Sequence, residues 1–150
     1  MSLISAKDQQ TLRDLFAEHM QHDVTMTYFT QRESVLIVPS QECAYCKETR
    51  ELLEELRDLS EKVHLDVKDF VRDEAAASQL GLSRIPAFVL SGQNKGKVRY
   101  FGIPAGYEFS SVVEDLVDVS TGTPDLLDTT LEAVEGIEQD LHIQVFVTPT

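Results

Sequence analysis

Positive charge is scarce in this chain. Thirteen lysines and arginines stand against 26 aspartates and glutamates, a net charge of −13 over 150 residues. Such a surface repels phosphate, so nucleic acid and anionic membrane are excluded as natural partners, and the charge is read as solubilising. Long apolar runs are lacking too. No stretch approaches the roughly 20 residues of a membrane span, and Met1 to Gln10 has no apolar core of the kind that marks a secretory leader. These absences point to the cytoplasm. Cysteine is the third scarcity, with Cys43 and Cys46 the only two. In a reducing compartment a disulfide is usually catalytic or redox-sensing, thermophiles excepted, which turns attention from stapling to chemistry.

What is present is ordinary for one globular domain: 42% hydrophobic and 26% charged residues, in a chain long enough to bury a core. Leu12, Leu15, Phe16 and His19 recur at helical spacing, predicting a helix over Ser5–Met20 with Ser5 as cap. Val24–Thr30 alternates and reads as a half-exposed strand. Val35–Val38 is apolar and β-branched, reads as a buried strand, and stops at Pro39 and Ser40. Glu48–Glu61 is strongly helical, with Leu52, Leu53, Leu56 and Leu59 on its inner face. Arg50 with Glu54, and Arg57 with Glu61, stand four apart as weak surface pairs. A strand follows at Val63–Val67, then a short Ala-rich helix from Asp73 to Leu80 closed by Gly81. Ala87–Leu90 and Val98–Phe101 form a hairpin around Ser91–Gly96. Glu108–Val119 is a helix with Val112, Val113, Leu116 and Val117 inward. Strands separated by helices imply parallel pairs with covered faces, to which the hairpin adds antiparallel ones.

Chemistry concentrates at Cys43-Ala44-Tyr45-Cys46. The spacing C-x-x-C after a strand and opening a helix is a dithiol redox arrangement. With the helix starting near Glu42, Cys43 meets unpaired backbone N–H groups that favour the thiolate, the reactive form. Arg84-Ile85-Pro86 precedes the strand Ala87–Leu90, and cis bonds are nearly confined to X-Pro. Two other readings stay open for the cysteines. They can be a stability staple. On paper His19 and His22 can also join them as four zinc ligands, although His19 is read as inward and His22 as outward.

The motif, the proline before the strand, and the run Tyr100-Phe101-Gly102-Ile103-Pro104-Ala105-Gly106-Tyr107-Glu108-Phe109 together resemble the thioredoxin/glutaredoxin superfamily from about Val24 to Val119. More narrowly they resemble the N-terminal unit of the two-unit, glutaredoxin-like protein disulfide oxidoreductases. The resemblance implies an α/β fold: a thioredoxin-like mixed sheet with helices on both faces. It implies thiol–disulfide exchange on protein substrates without a cofactor, with Cys43 attacking and Cys46 resolving. In it Pro86 is cis, faces Cys43 and shapes a groove, Ile85 offers backbone to the client, Gly102 lets a client chain approach, and Tyr45 adjoins that surface. It implies a flavoprotein thioredoxin reductase as electron donor and peroxiredoxins among the recipients. The chain departs from the pattern in two places. Ile37 stands where thioredoxins carry a buried Asp, and Ala44 replaces the proline of glutaredoxins. A redox-weak unit that only positions clients, and a dimer holding an iron–sulfur cluster through Cys43, are the alternative functions.

Composition shifts after Ser120. Pro124 to about Gln139 reads as a helix, with Leu127, Leu131, Val134 and Ile137 on its apolar side, and Leu141–Thr148 as a strand. Val145–Thr150 repeats the shape of Val35–Ser40. The division expected is residues 1–120 as one thioredoxin/glutaredoxin-like unit and 121–150 as a linker helix and the first strand of a second, truncated unit. An unpaired strand there is expected to find a sheet edge in its own unit or another chain, possible homodimerisation running through residues 141–148.

Overall fold

The structure is a computed structural model and describes residues 2–31 and 43–147. Ser5 opens α1 (Ala6–His19): its hydroxyl accepts the Asp8 N–H, as its cap position requires. Next come β1 (Val24–Thr30), α2 (Cys46–Arg57), β2 (Val63–Asp69) and α3 (Glu74–Leu80). The hairpin β3 (Ala87–Ser91) and β4 (Val98–Phe101) leads to α4 (Tyr107–Thr121) and α5 (Asp128–Glu135).

Among the described residues four strands form one mixed sheet in the order β2-β1-β3-β4. Strand β1 lies parallel to β2 and antiparallel to β3, and β3 lies antiparallel to β4. This corrects the reading of β1 as a half-exposed strand. It is an inner strand of the sheet, and Val24, Met26, Tyr28, Phe29 and Thr30 are buried. The apolar segment Val35–Val38, read as the buried strand, lies outside the described residues.

Strand alternation divides the core in two. One face carries Val24, Met26, Tyr28, Phe88 and Leu90, covered by Leu12 and Phe16 of α1, Leu53 and Leu56 of α2, and Val112 and Leu116 of α4. The other carries Phe29, Ala87 and Val89, covered by Ala77 of α3 and by Leu82. Helices therefore sit on both faces, as expected. Across β1, β3 and β4, Tyr28 stands opposite Phe88 and Phe88 opposite Tyr100. The Phe88 and Tyr100 rings stack with centroids 5.0 Å apart.

Helix α2 is anchored at both ends. Near its far end the Glu55 carboxylate accepts the Leu3 N–H at 2.6 Å, the Ile4 N–H at 3.0 Å and the Ser2 hydroxyl at 2.9 Å. Burial pulls the Glu55 carboxyl upward, but these donors outweigh it and hold the group below its ordinary range. A lowered folded-state pKa adds stability above the unfolded value of about 4.3, lost as pH falls through the folded one. Glu55→Gln is therefore expected to cost up to about 1 kcal/mol at pH 7, the exposed site screening the charge. In denaturant titrations that difference will shrink as pH falls below about 4. A difference unchanged between pH 7 and pH 3 would contradict the clamp.

Four further expectations are corrected. Arg57 pairs with Asp58 at 2.7 Å rather than with Glu61, because α2 ends at Arg57 and its helical register stops there. The helix expected to start at Asp73, with that residue as its cap, is α3 from Glu74; the Asp73 carboxylate accepts the Asp69 N–H at 2.9 Å and makes no cap bond to the helix. The helix expected from Pro124 to Gln139 is only α5, eight residues with none buried. Residues 141–147 form no strand and are exposed, because no sheet edge among the described residues pairs with them. No helix among the described residues is long and apolar enough to cross a membrane.

Candidate functional site

Four chain segments meet at one end of the sheet. Strands β1 and β2 end there together, Thr30 opposite Asp69. Strand β3 begins there, with Ala87 opposite Phe29, and β4 ends there, with Phe101 opposite Ala87. The cysteines reach the same end through Gln31, which directly follows β1 and whose side-chain carbonyl accepts the Cys43 N–H at 2.8 Å.

Cys43 and Cys46 form a disulfide with sulfurs 2.02 Å and Cα atoms 5.5 Å apart. The start of α2 differs from expectation. The helix begins at Cys46, with Tyr45 at the cap position, so Cys43 lies in the turn before it. Thr49 explains the late start: its backbone N–H and hydroxyl both bond to the Tyr45 carbonyl, at 3.0 and 2.7 Å, closing the first turn on Tyr45. Cys43 is half-buried, whereas Cys46 is 6% exposed. The first cysteine is thus the more accessible.

The buried cysteine is tied to the sheet by a residue that sequence reasoning missed. The Tyr28 hydroxyl donates to the Cys46 carbonyl at 2.7 Å. Tyr28 is fully buried, and burial raises its pKa, keeping the donor proton in place. The available signal was chemical: a buried tyrosine needs a partner for its hydroxyl, and Tyr28 lies two residues before the end of the strand leading towards the motif. Gln31 was missed as well.

The other expected site residues gather around the same end. The Ile85–Pro86 bond is cis, as expected. Pro86 is buried and Ile85 half-buried, just before Ala87. The Gly102 N–H donates to the Pro86 carbonyl at 2.8 Å. Gly102 has φ 94°, which only glycine adopts without strain, and a Cβ placed on it would meet nothing within 4 Å. Tyr45 is 57% exposed beside the disulfide. The zinc reading gains no geometry: His19 and His22 are both exposed, and among the described residues no group of three or more His, Cys, Asp or Glu side chains is placed to hold a metal.

Comparison with known proteins fits this arrangement. The chain superimposes on a protein disulfide oxidoreductase from Aeropyrum pernix with a TM-score of 0.70 and 25% identity, covering 88% of this chain and 54% of that one. The fold is thioredoxin-like. AhpF, a component of the alkyl hydroperoxide reductase of Enterococcus faecalis, shares that fold, with a TM-score of 0.73 at 20% identity over 89% of this chain and 60% of the other. In sequence, the F component of the Staphylococcus aureus alkyl hydroperoxide reductase is 30% identical over 106 residues. That match takes in 69% of this chain, which spans only 18% of the relative's length. No family model matches. The chain thus resembles the protein disulfide oxidoreductases, has the fold of thiol–disulfide oxidoreductases, and carries a disulfide at its C-x-x-C motif. Its relatives are redox enzymes.

Proposed function

We propose that this chain exchanges disulfides with protein substrates through Cys43 and Cys46. The observation that carries this reading is the Cys43–Cys46 disulfide at the strand end where cis Pro86 and Gly102 also sit. In the reduced protein the Cys43 thiolate attacks one sulfur of a client disulfide. The client S–S bond breaks, one client thiolate leaves and takes a proton, and Cys43 is held in a mixed disulfide. The Cys46 thiolate then attacks the Cys43 sulfur and releases the second client thiolate. The protein ends as the disulfide seen here and the client as a dithiol, two electrons having passed to the client. The reverse sequence oxidises a client dithiol.

Cys43 fits the attacking role because it is the more exposed sulfur, and Cys46 the resolving role because it is buried and anchored through Tyr28. Ile85, Pro86, Gly102 and Tyr45 form the client surface in this reading. Exposed glycine space at Gly102 supports it. The exchange needs no bound cofactor. The relatives' names, a disulfide oxidoreductase and a component of a hydroperoxide reductase, favour a relay: electrons from a flavoprotein thioredoxin reductase, delivered to a peroxiredoxin. A reducing cytoplasm suits such a relay. Within it, residues 1–120 act as the exchange unit and 121–150 as a connection to a second one.

The test is a single turnover. The full chain is reduced, freed of reductant and mixed with one equivalent of insulin. Loss of two titratable thiols from the protein, matched by two gained on insulin, is the expected result. A protein that keeps both thiols would leave only the reading of a redox-weak binding module.

A further inference from the structure

Cations are segregated in this acidic chain. From Ala75 to Tyr107 the sequence carries Arg84, Lys95, Lys97 and Arg99 and no aspartate or glutamate. That stretch contains all of α3 but its first residue, the hairpin and the Ile85–Pro86 bond, so it borders the end of the sheet that the cysteines reach. Two of the cations are occupied by backbone. The Lys97 ammonium donates to the Gln79 carbonyl at 2.7 Å, and an Arg99 guanidinium N–H donates to the Gly81 carbonyl at 3.4 Å. Arg84 is different. Its guanidinium lies over the Phe101 ring, 5.0 Å from the centroid, and among the described residues it pairs with no carboxylate.

Position makes this notable. Arg84 immediately precedes Ile85, and Phe101 immediately precedes Gly102, whose N–H holds the Pro86 carbonyl. The stack therefore fixes an exposed cation beside the peptide-approach surface. A guanidinium resting on an aromatic face keeps its edge donors free, aimed outward and pre-ordered. Those donors match a carboxylate in a two-point fork.

We propose that Arg84 is a specificity-determining residue that selects client segments with an aspartate or glutamate close to the reacting cysteine. This rests on the exchange reading above. The preference opposes the overall field, because a chain of net charge −13 attracts basic peptides and repels acidic ones. A local preference for acid is therefore informative.

The experiment uses three peptide disulfides of one sequence whose residues flanking cysteine are Glu, Gln or Lys. Each oxidises the pre-reduced full chain in a single turnover, and second-order rates are compared within each protein variant, so that loss of folded protein cancels. The Glu peptide is expected to exceed the Gln peptide roughly fivefold at low salt, the scale of an exposed charge pair. Salt at about 0.5 M will shrink that ratio. Arg84→Gln brings it towards one, Arg84→Glu takes it below one, and Phe101→Leu, which removes the platform, gives an intermediate ratio. Arg13→Gln, an exposed arginine on α1, keeps the original ratio. Equal rates for all three peptides, a preference for Lys in the native protein, or an equal fall with Arg13→Gln would overturn the role of Arg84 while leaving exchange intact. No oxidation by any peptide would overturn exchange itself, and this inference with it.

Discussion

Cys43→Ser will reduce disulfide exchange to the uncatalysed background, a loss on the order of a thousandfold or more, the scale of deleting a reacting nucleophile. A serine hydroxyl is not ionised at neutral pH and forms no disulfide, so neither the first attack nor the mixed intermediate survives. Cys46→Ser will behave differently. Its Cys43 can still attack, but the buried second thiolate that releases the client is gone. The mixed disulfide will therefore persist, visible as a mass increase equal to the client and reversed by dithiothreitol. The two variants together assign the roles. Trapping with Cys43→Ser and none with Cys46→Ser would exchange them.

The second large effect is on stability. Phe88 is fully buried, faces Tyr28 across one strand pair and stacks on Tyr100 across the next. It is the middle of an aromatic row that runs from β1, whose Tyr28 bonds the Cys46 carbonyl, to the outer strand β4. Phe88→Ala is expected to cost about 3–5 kcal/mol, the transfer term plus the cavity left between two rings that cannot close over it. Phe88→Leu keeps most of the volume and is expected to cost about 1.5 kcal/mol or less. Denaturant titrations at neutral pH read both, with the midpoint moving and the slope unchanged. Equal losses for the two variants would show that ring stacking, not filled volume, dominates this position.

The site was more legible than the frame around it. The C-x-x-C pair, the cis bond before Ala87 and the order of the later elements follow from local signals: a spacing, a proline before a strand, turn residues between alternating runs. The depth of β1 did not, because Thr25 and Thr27 on one of its faces read as open to water. Those threonines are only half-buried, whereas Phe29 on the same face is fully buried in the cluster with Ala77 and Leu82. The start of α2 was misplaced because Thr49 fixes it through side-chain bonding to Tyr45, which periodicity does not register. The tail misled for another reason. Leu127, Leu131 and Val134 have helical spacing, yet a helix with no packed neighbour is marginal below about 12 residues, and only Asp128–Glu135 is helical. The alternating run at 141–147 has strand character but no edge to join, and pairing is what makes a strand.

The place of β1 in the sheet also sets an order on synthesis. Of the described strands β1 is made before the others, and the two neighbours it needs both come later: Phe29 waits for Lys68 on one side and for Ala87 on the other. Until residue 91 has emerged, one ladder of β1 stays open to whatever strand is near. The pairings that complete the core are long-range, so closure must wait on the chain rather than proceed with it. The nascent protein therefore presents its future interior as an edge, and the cysteines that follow it reach daylight before Pro86.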